Sequence, residues 1–340
     1  MKKFLSILLV AVMLTAVLAG CGDKKDEGKK EDGNTTSGEQ EYKLGMGVSV
    51  SDGSQEGTAQ VDATAAVVIT DASGKIVACY IDVAQNKMDV SAGTATVGQE
   101  YRTKQEKKED YGMKGVSEIG KEWYEQANFF ADFVVGKSAS DVSGIETQES
   151  GGHQIATDAD ILAGCTMDIT AMTEAVVKAC NDDQAKTFKA SATPVLGFAA
   201  ETEDSSSKDP SADEAGLAAM YTTFGATAVV DGKVAAAIVD TIQPKIGFGS
   251  AGEITDFNFG GTKRELKEDY GMKGVSGIEK EWYEQAEFFT DFVVGKTSSE
   301  ISGIATEESN GHQVATDADI LAGCTMDIAG YISVLTKSIK

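Results

Sequence analysis

Two apolar, β-prone runs at residues 65–69 and 75–83 flank the turn cluster Thr70-Asp71-Ala72-Ser73-Gly74. This pattern predicts a β-hairpin. It returns later in the chain as residues 226–230 and 233–239 around Asp231-Gly232, a pair well suited to a tight hairpin turn. The periodicity then becomes helical. Trp123, Ala127, Phe130 and Val134 recur at helix spacing within residues 117–135, and Phe129 and Phe133 widen the stripe. The plain reading of that stripe is a core-facing helix surface. Gly136 and Gly295 stand where such helices stop. A further helix is expected over residues 167–179, with Ile169, Met172, Val176 and Ala179 on one face and Ile328, Tyr331, Leu335 and Ile339 in its twin. Hairpins followed by helices predict an α+β fold in which antiparallel sheet packs against helices.

The recurrence is a true internal duplication. KEDYGMKGVSEIGKEWYEQANFFADFVVGKSASDVSGI begins at Lys108, and KEDYGMKGVSGIEKEWYEQAEFFTDFVVGKTSSEISGI begins at Lys267. The match runs without a gap over 103–178 against 262–337. Upstream it weakens but continues: Gly74-Lys75-Ile76 corresponds to Gly232-Lys233-Val234, and Ser91-Ala92-Gly93 to Ser250-Ala251-Gly252. Each unit is of domain size and too long for a solenoid repeat. Two duplicated domains are expected, at residues 41–185 and 186–340. Residues 200–216 are polar and rich in breakers and read as a loop expanded in the second copy.

The beginning of the chain reads as a lipoprotein signal peptide over residues 1–20. Lys2 and Lys3 precede an apolar run at 4–17, which is short for a spanning helix and ends in Leu18-Ala19-Gly20-Cys21. That lipobox pattern predicts cleavage before Cys21, whose thiol would carry the lipid that fixes the protein to the outer face of the cell membrane. Residues 21–40 lack any apolar cluster and read as a flexible tether, with a reach of roughly 25 Å. The net charge of −24 argues against nucleic acid as a partner. Five cysteines make no disulfide framework: Cys21 is the lipid acceptor, Cys165 and Cys324 are repeat equivalents, and Cys79 and Cys180 face Ala237 and Ile339 in the other copy. With two histidines in the chain, a zinc site of the common His/Cys type is not expected.

Ahead of the last helix both copies spell HQ[IV]ATDADILAGCTMDI. Asp160, Gly164, Cys165 and Thr166 in the first copy correspond to Asp319, Gly323, Cys324 and Thr325 in the second. This motif resembles the flavin attachment sequence D-x-x-[ST]-G-A-[ST] of the FMN-binding domain family. That family includes covalent-flavin subunits of respiratory complexes and tandem FMN-binding lipoproteins of Gram-positive bacteria. Ala163 and Ala322 stand where the family has a hydroxyl residue, and Cys165 and Cys324 where it has alanine. The resemblance implies an FMN-binding-like fold in each copy. It also implies covalent FMN on Thr166 and Thr325, placed there by a flavin transferase, with Asp160 and Asp319 assisting. The role it implies is an electron carrier between a membrane donor and an extracellular acceptor, rather than a stand-alone enzyme.

Independently of the family, a Thr hydroxyl at a helix start would lie among unpaired N–H groups that suit a phosphodiester, and Gly164 would allow close approach. A capped helix start explains the same residues without a ligand. His153 and His312 admit a flavin contact or a solvated loop position, and their glycine neighbours favour the loop. Tyr111, Met113, Tyr270 and Met272 suit either an isoalloxazine face or a turn and core role. Asp158 with Asp160 reads as helix capping ahead of cation binding. The G-x-G-x-x-G string at 247–252 lacks a following helix, and Gly136-Lys137-Ser138 and Gly295-Lys296-Thr297 read as helix ends, not phosphate loops. The competing functional class is a non-catalytic surface lipoprotein whose cleft binds a small ligand or nothing.

Overall fold

The structure, a computed structural model, describes residues 38–339. The expected signal peptide, Cys21 and most of the tether lie outside the described residues.

Three long strands open the first copy: β1 (Gln40–Asp52), β2 (Thr58–Asp71) and β3 (Ile76–Asp89). Helices α1 (Lys104–Lys107), α2 (Trp123–Phe133) and α3 (Ala139–Ser143) follow, then the small hairpin β4 (Thr147–Ser150) and β5 (His153–Ala156). Helices α4 (Ala159–Leu162) and α5 (Thr170–Cys180) complete the copy, and β6 (Lys186–Ala190) returns to pair with β1. The resulting antiparallel sheet has the order β3-β2-β1-β6.

The second copy supplies β7 (Val195–Glu203), β8 (Gly216–Ala218), β9 (Tyr221–Val230), β10 (Lys233–Ile242), β11 (Lys245–Phe248) and β12 (Ile254–Asn258). These form two antiparallel sheets, β10-β9-β7 and β12-β11-β8. Then come α6 (Lys263–Leu266), α7 (Trp282–Phe292), α8 (Ser298–Ser302), hairpin β13 (Thr306–Ser309) and β14 (His312–Ala315), α9 (Ala318–Leu321) and α10 (Ala329–Ser338). The fold is α+β, and the closely repeated segments fold into the same elements in the same order.

The two large sheets pack face to face. Leu44, Met46, Val61, Ala63, Ala65, Val67 and Ile69 of the first copy share one core with Phe198, Phe224, Ala226, Ala236 and Ile238 of the second. Each sheet turns its other face to its own helices. Ala66, Val68, Ile76 and Ile81 meet Trp123, Phe130 and Val176, while Val234, Ala237 and Val239 meet Trp282, Phe289 and Val334. The order of layers is helices, sheet, sheet, helices. It explains the unbroken apolar run in β2, which is covered on both faces.

β1 was not expected from apolar runs, yet its alternation is regular: Leu44, Met46 and Val48 point to the shared core. Gly45 and Gly47 face α5 between them. A Cβ on Gly45 would lie 2.1 Å from the Ala179 carbonyl oxygen, and one on Gly47 2.3 Å from that of Ala175. The copies also meet at their matching Ser-Ala-Gly turns. The Gly57 N–H donates to the Gly252 carbonyl at 2.9 Å, and a Cβ on Gly93 would lie 2.1 Å from the Ser250 carbonyl oxygen.

Several element ends differ from the sequence expectation for local reasons. Helix α2 starts at Trp123 rather than residue 117, because Gly120 takes φ +63° and Glu122 forms a reciprocal capping box with Glu125. Helix α5 starts at Thr170 rather than 167, where the Asp168 carboxylate accepts the Thr170 N–H at 2.8 Å. Strand β7 continues through Glu203, so the expanded loop is shorter than 200–216. Helices α2 and α7 end at Phe133 and Phe292, and Gly136 and Gly295 follow three residues later in the turns, with φ +82° and +81°.

Candidate functional site

A cleft of about 390 Å³ opens on the helical side of the first copy, within the usual range for small-molecule sites. Three separated stretches of chain build it. The 108–120 loop contributes Tyr111, Met113 and Val116, the β4–β5 hairpin contributes Ser150, His153 and Ile155, and the loop before α5 contributes Thr166, Met167 and Asp168. Lys104 and Trp123 complete the wall. The residues singled out at Tyr111, Met113, His153 and Thr166 thus meet in one place.

The first loop is folded back by helix α2. Glu122, at its start, accepts the Met113 N–H at 2.8 Å, and the Tyr124 hydroxyl donates to Glu109 at 3.0 Å. Gly112 makes the turn at φ +77°. The Lys104 ammonium lies 4.8 Å from the centre of the Tyr111 ring and 5.4 Å from that of Trp123, placing a cation on the cleft wall. In the second copy, Lys263 lies 4.8 Å from Tyr270 and 5.3 Å from Trp282. Burial lowers the Lys263 ammonium to about 8, against the opposing pull of Asp240 and Glu203.

Thr166 and Thr325 are half-buried in the loops between α4 and α5 and between α9 and α10. They do not open a helix, contrary to the sequence expectation. The α5 terminus is occupied by Asp168, which accepts the Thr170 and Gln154 N–H groups at 2.8 Å each. Burial works to raise the Asp168 carboxyl, but those bonds, with Thr170 and His153 nearby, outweigh it and hold the group below its usual range. Asp327 accepts the Ala329 and Gln313 N–H groups ahead of α10 in the same way. A helix-terminus phosphate site at these threonines is therefore replaced by a different arrangement. The Thr166 N–H donates to Gln126 Oε1 at 2.9 Å and its hydroxyl lies 3.4 Å from the same oxygen, with Thr325 and Gln285 matching at 2.9 and 3.3 Å.

Gln126 and Gln285 were missed in the sequence, although a signal was present. Each is a polar residue on the apolar face of its helix, three residues after a core tryptophan, and each is fully buried.

Asp160, Gly164 and Cys165 of the motif do not line the cleft. Cys165 and Cys324 are fully buried in the two helical cores, and burial raises each thiol to about 11. Asp160 and Asp319 are exposed in the first turns of α4 and α9, where Asp158 and Asp317 cap the helices by accepting their N–H groups at 2.8 and 2.9 Å. Gly164 and Gly323 answer to packing: a Cβ on either would lie 2.3 Å from the ring of Phe129 or Phe288. His153 and His312 are exposed and approach Asp168 and Asp327 at 4.0 and 3.7 Å. Among the described residues there is no cluster of acidic, His or Cys side chains suited to a metal ion, and no helix long and apolar enough to cross a membrane.

The fold is α+β, and the first copy carries a cleft that is a candidate small-molecule site. No family model and no solved structure matched the chain. A protein named chlorophenol reductase, from Desulfitobacterium hafniense, is 28% identical over 120 residues, covering 29% of this chain and 37% of that protein. The matched part thus spans little more than a third of that relative's length.

Proposed function

We propose that the protein is a lipid-anchored, extracytoplasmic flavin carrier that relays electrons, with FMN joined through phosphoester bonds to Thr166 and Thr325. The observation that carries this reading is the meeting of Thr166, Tyr111, Met113 and His153 around one cleft. An acceptor hydroxyl, a thioether, an aromatic ring and a cation from Lys104 are the groups a flavin mononucleotide needs around it. FMN supplies the redox chemistry when bound. Lys104 offers the phosphate a positive partner, Gln126 holds the loop that presents Thr166, and Tyr111 and Met113 supply apolar surface for the ring. Attachment uses FAD as donor: the Thr oxygen bonds to the FMN phosphorus, AMP leaves, and the hydroxyl proton is released. The printed name of the partial relative, a reductase, belongs to the same broad redox class.

Intact mass measurement of protein co-expressed with a flavin transferase tests the proposal. Thr166→Val is expected to remove one flavin mass and Thr325→Val the other. Unchanged mass in both variants would exclude covalent attachment.

A second reading has specific support. The helix N–H groups near the threonines are taken by Asp168 and Asp327, and Phe129 and Phe288 account for the motif glycines. These features suit a non-catalytic surface lipoprotein that binds a small ligand without covalent attachment. A protein of unmodified mass after such co-expression favours it.

A further inference from the structure

The two copies differ on the cleft lining at Glu118/Gly277 and Ile155/Val314, and beneath it at Met172/Tyr331, the difference that changes the hydrogen bonding of the tryptophan. In the second copy Tyr331 stands on α10. Its hydroxyl accepts the Trp282 indole N–H at 2.8 Å, and the two rings meet edge to face at 6.1 Å. Tyr331 is buried, and that burial raises its hydroxyl well above the ordinary phenol range. In the first copy the equivalent residue is Met172 on α5, also buried. The counterparts of Tyr270 and Asp327, Tyr111 and Asp168, line the open cleft together with Trp123. Trp123 is only 6% exposed and lines the cleft, and its indole N–H, which no acceptor among the described residues meets, is not among the fully buried polar groups and so stays open to solvent there. A solvent-open donor at the edge of an otherwise buried ring offers a ligand acceptor one directed hydrogen bond.

Resting on the flavin reading above, we infer that the first copy's cleft is the primary ligand site, with the Trp123 indole N–H as a recognition donor. In the second copy Tyr331 already occupies the acceptor position. The ligand class is a planar heteroaromatic that carries an acceptor on its ring edge and an anionic tail for Lys104. Met172 and Tyr331 set the difference: methionine brings no hydroxyl to the indole N–H, whereas tyrosine supplies both an acceptor and a ring.

The chain has two tryptophans, one per copy, so its indole N–H groups give two separate signals in a nitrogen–proton NMR spectrum. Trp282→Phe assigns them. The full chain, produced in cells lacking a flavin transferase, is titrated with FMN and with riboflavin. The Trp123 signal is expected to move and the Trp282 signal to stay, with riboflavin binding more weakly than FMN. Met172→Tyr is expected to weaken FMN binding at least tenfold. Tyr331→Met is expected to make the Trp282 signal respond, and it keeps the test open if the first variant does not fold.

Equal movement of both signals, or movement of Trp282 alone, would overturn the inference. So would quenching of flavin fluorescence on binding while neither indole moves. The last result, combined with a flavin mass on Thr166 in co-expressing cells, would refute the Trp123 role and leave the carrier reading standing. No binding in the titration and no flavin mass would remove both.

Discussion

The side-chain oxygen of Gln126 accepts the backbone N–H of Thr166 at 2.9 Å across forty residues of sequence, and Gln285 holds Thr325 at the same distance. Each glutamine amide nitrogen is anchored in turn, by Ser117 or Ser276 at 3.0 Å and by the carbonyl of Lys121 or Lys280. A fully buried amide with these bonds fixes the loop between two helices to the face of a third.

Gln126→Leu keeps the bulk and removes the acceptor. It leaves the Thr166 N–H without its partner, at a cost of about 1–3 kcal/mol. Thr166→Val removes only the 3.4 Å hydroxyl contact and is expected to cost well under about 1 kcal/mol. Urea denaturation of both variants checks the order. Equal losses would mean that the backbone bond is not what holds the loop.

The shared core sets a second expectation. A chain ending at Ala190 retains β6 but uncovers Leu44, Met46, Val61, Ala63, Val67 and Ile69, which pack on the second sheet. An exposed apolar face of that extent is expected to drive self-association. Light scattering after size-exclusion chromatography should show dimers or aggregates for the fragment. A well-folded monomer would show that the two sheets are independent.

The β2–β3 and β9–β10 hairpins and helices α2, α5, α7 and α10 were legible because each has a period or a turn signal. The face-to-face sheets were not. A strand covered on both sides, such as β2, reads as a continuous apolar run, and nothing in Ala65 to Ile69 says whether the second cover is helix, sheet or another molecule. β1 was hidden for a related reason: Gly45 and Gly47 occupy its helix-facing positions and break the apolar run. At the site, the sequence brought forward Thr166, Tyr111, Met113 and His153 one at a time. Their meeting depends on Glu122 folding the 108–120 loop back, a contact without local periodicity. The helix start assigned to Thr166 failed because α5 begins only at Thr170, whose N–H the Asp168 carboxylate accepts.

Asp82 and Asp240 occupy equivalent places and are buried beneath α1 and α6. Asp82 Oδ1 accepts the Val83 N–H at 2.7 Å and the Gln105 N–H at 3.0 Å. Burial nonetheless raises its carboxyl to about 7, and that of Asp240 to about 6. A folded value above the unfolded one, about 3.9, means that the native state binds the extra proton. The stabilisation is complete below about pH 4 and is lost as pH rises through 7, on the order of 4 kcal/mol at most. Asp82→Asn keeps an oxygen for both N–H groups and abolishes this titration. Urea midpoints at pH 5 and pH 8 should therefore differ less in Asp82→Asn than in the parent chain. An unchanged difference would mean that Asp82 titrates near its ordinary value.

Gly164 separates the packing and ligand readings of the motif most sharply. A Cβ there would lie 2.3 Å from the Phe129 ring, so Gly164→Ala forces that ring to move, at a cost of about 1–3 kcal/mol. If the ring is the reason for glycine, Phe129→Ala makes room, and adding Gly164→Ala to it costs little more. The double-mutant cycle should then show a coupling of about 1 kcal/mol or more. A glycine required by a phosphate would behave differently: Gly164→Ala would leave the stability of flavin-free protein unchanged, and Phe129→Ala would not restore flavin attachment to the double variant. Measuring the cycle by urea denaturation, and the flavin mass in the same four proteins, assigns the glycine to the ring, to the cofactor or to both.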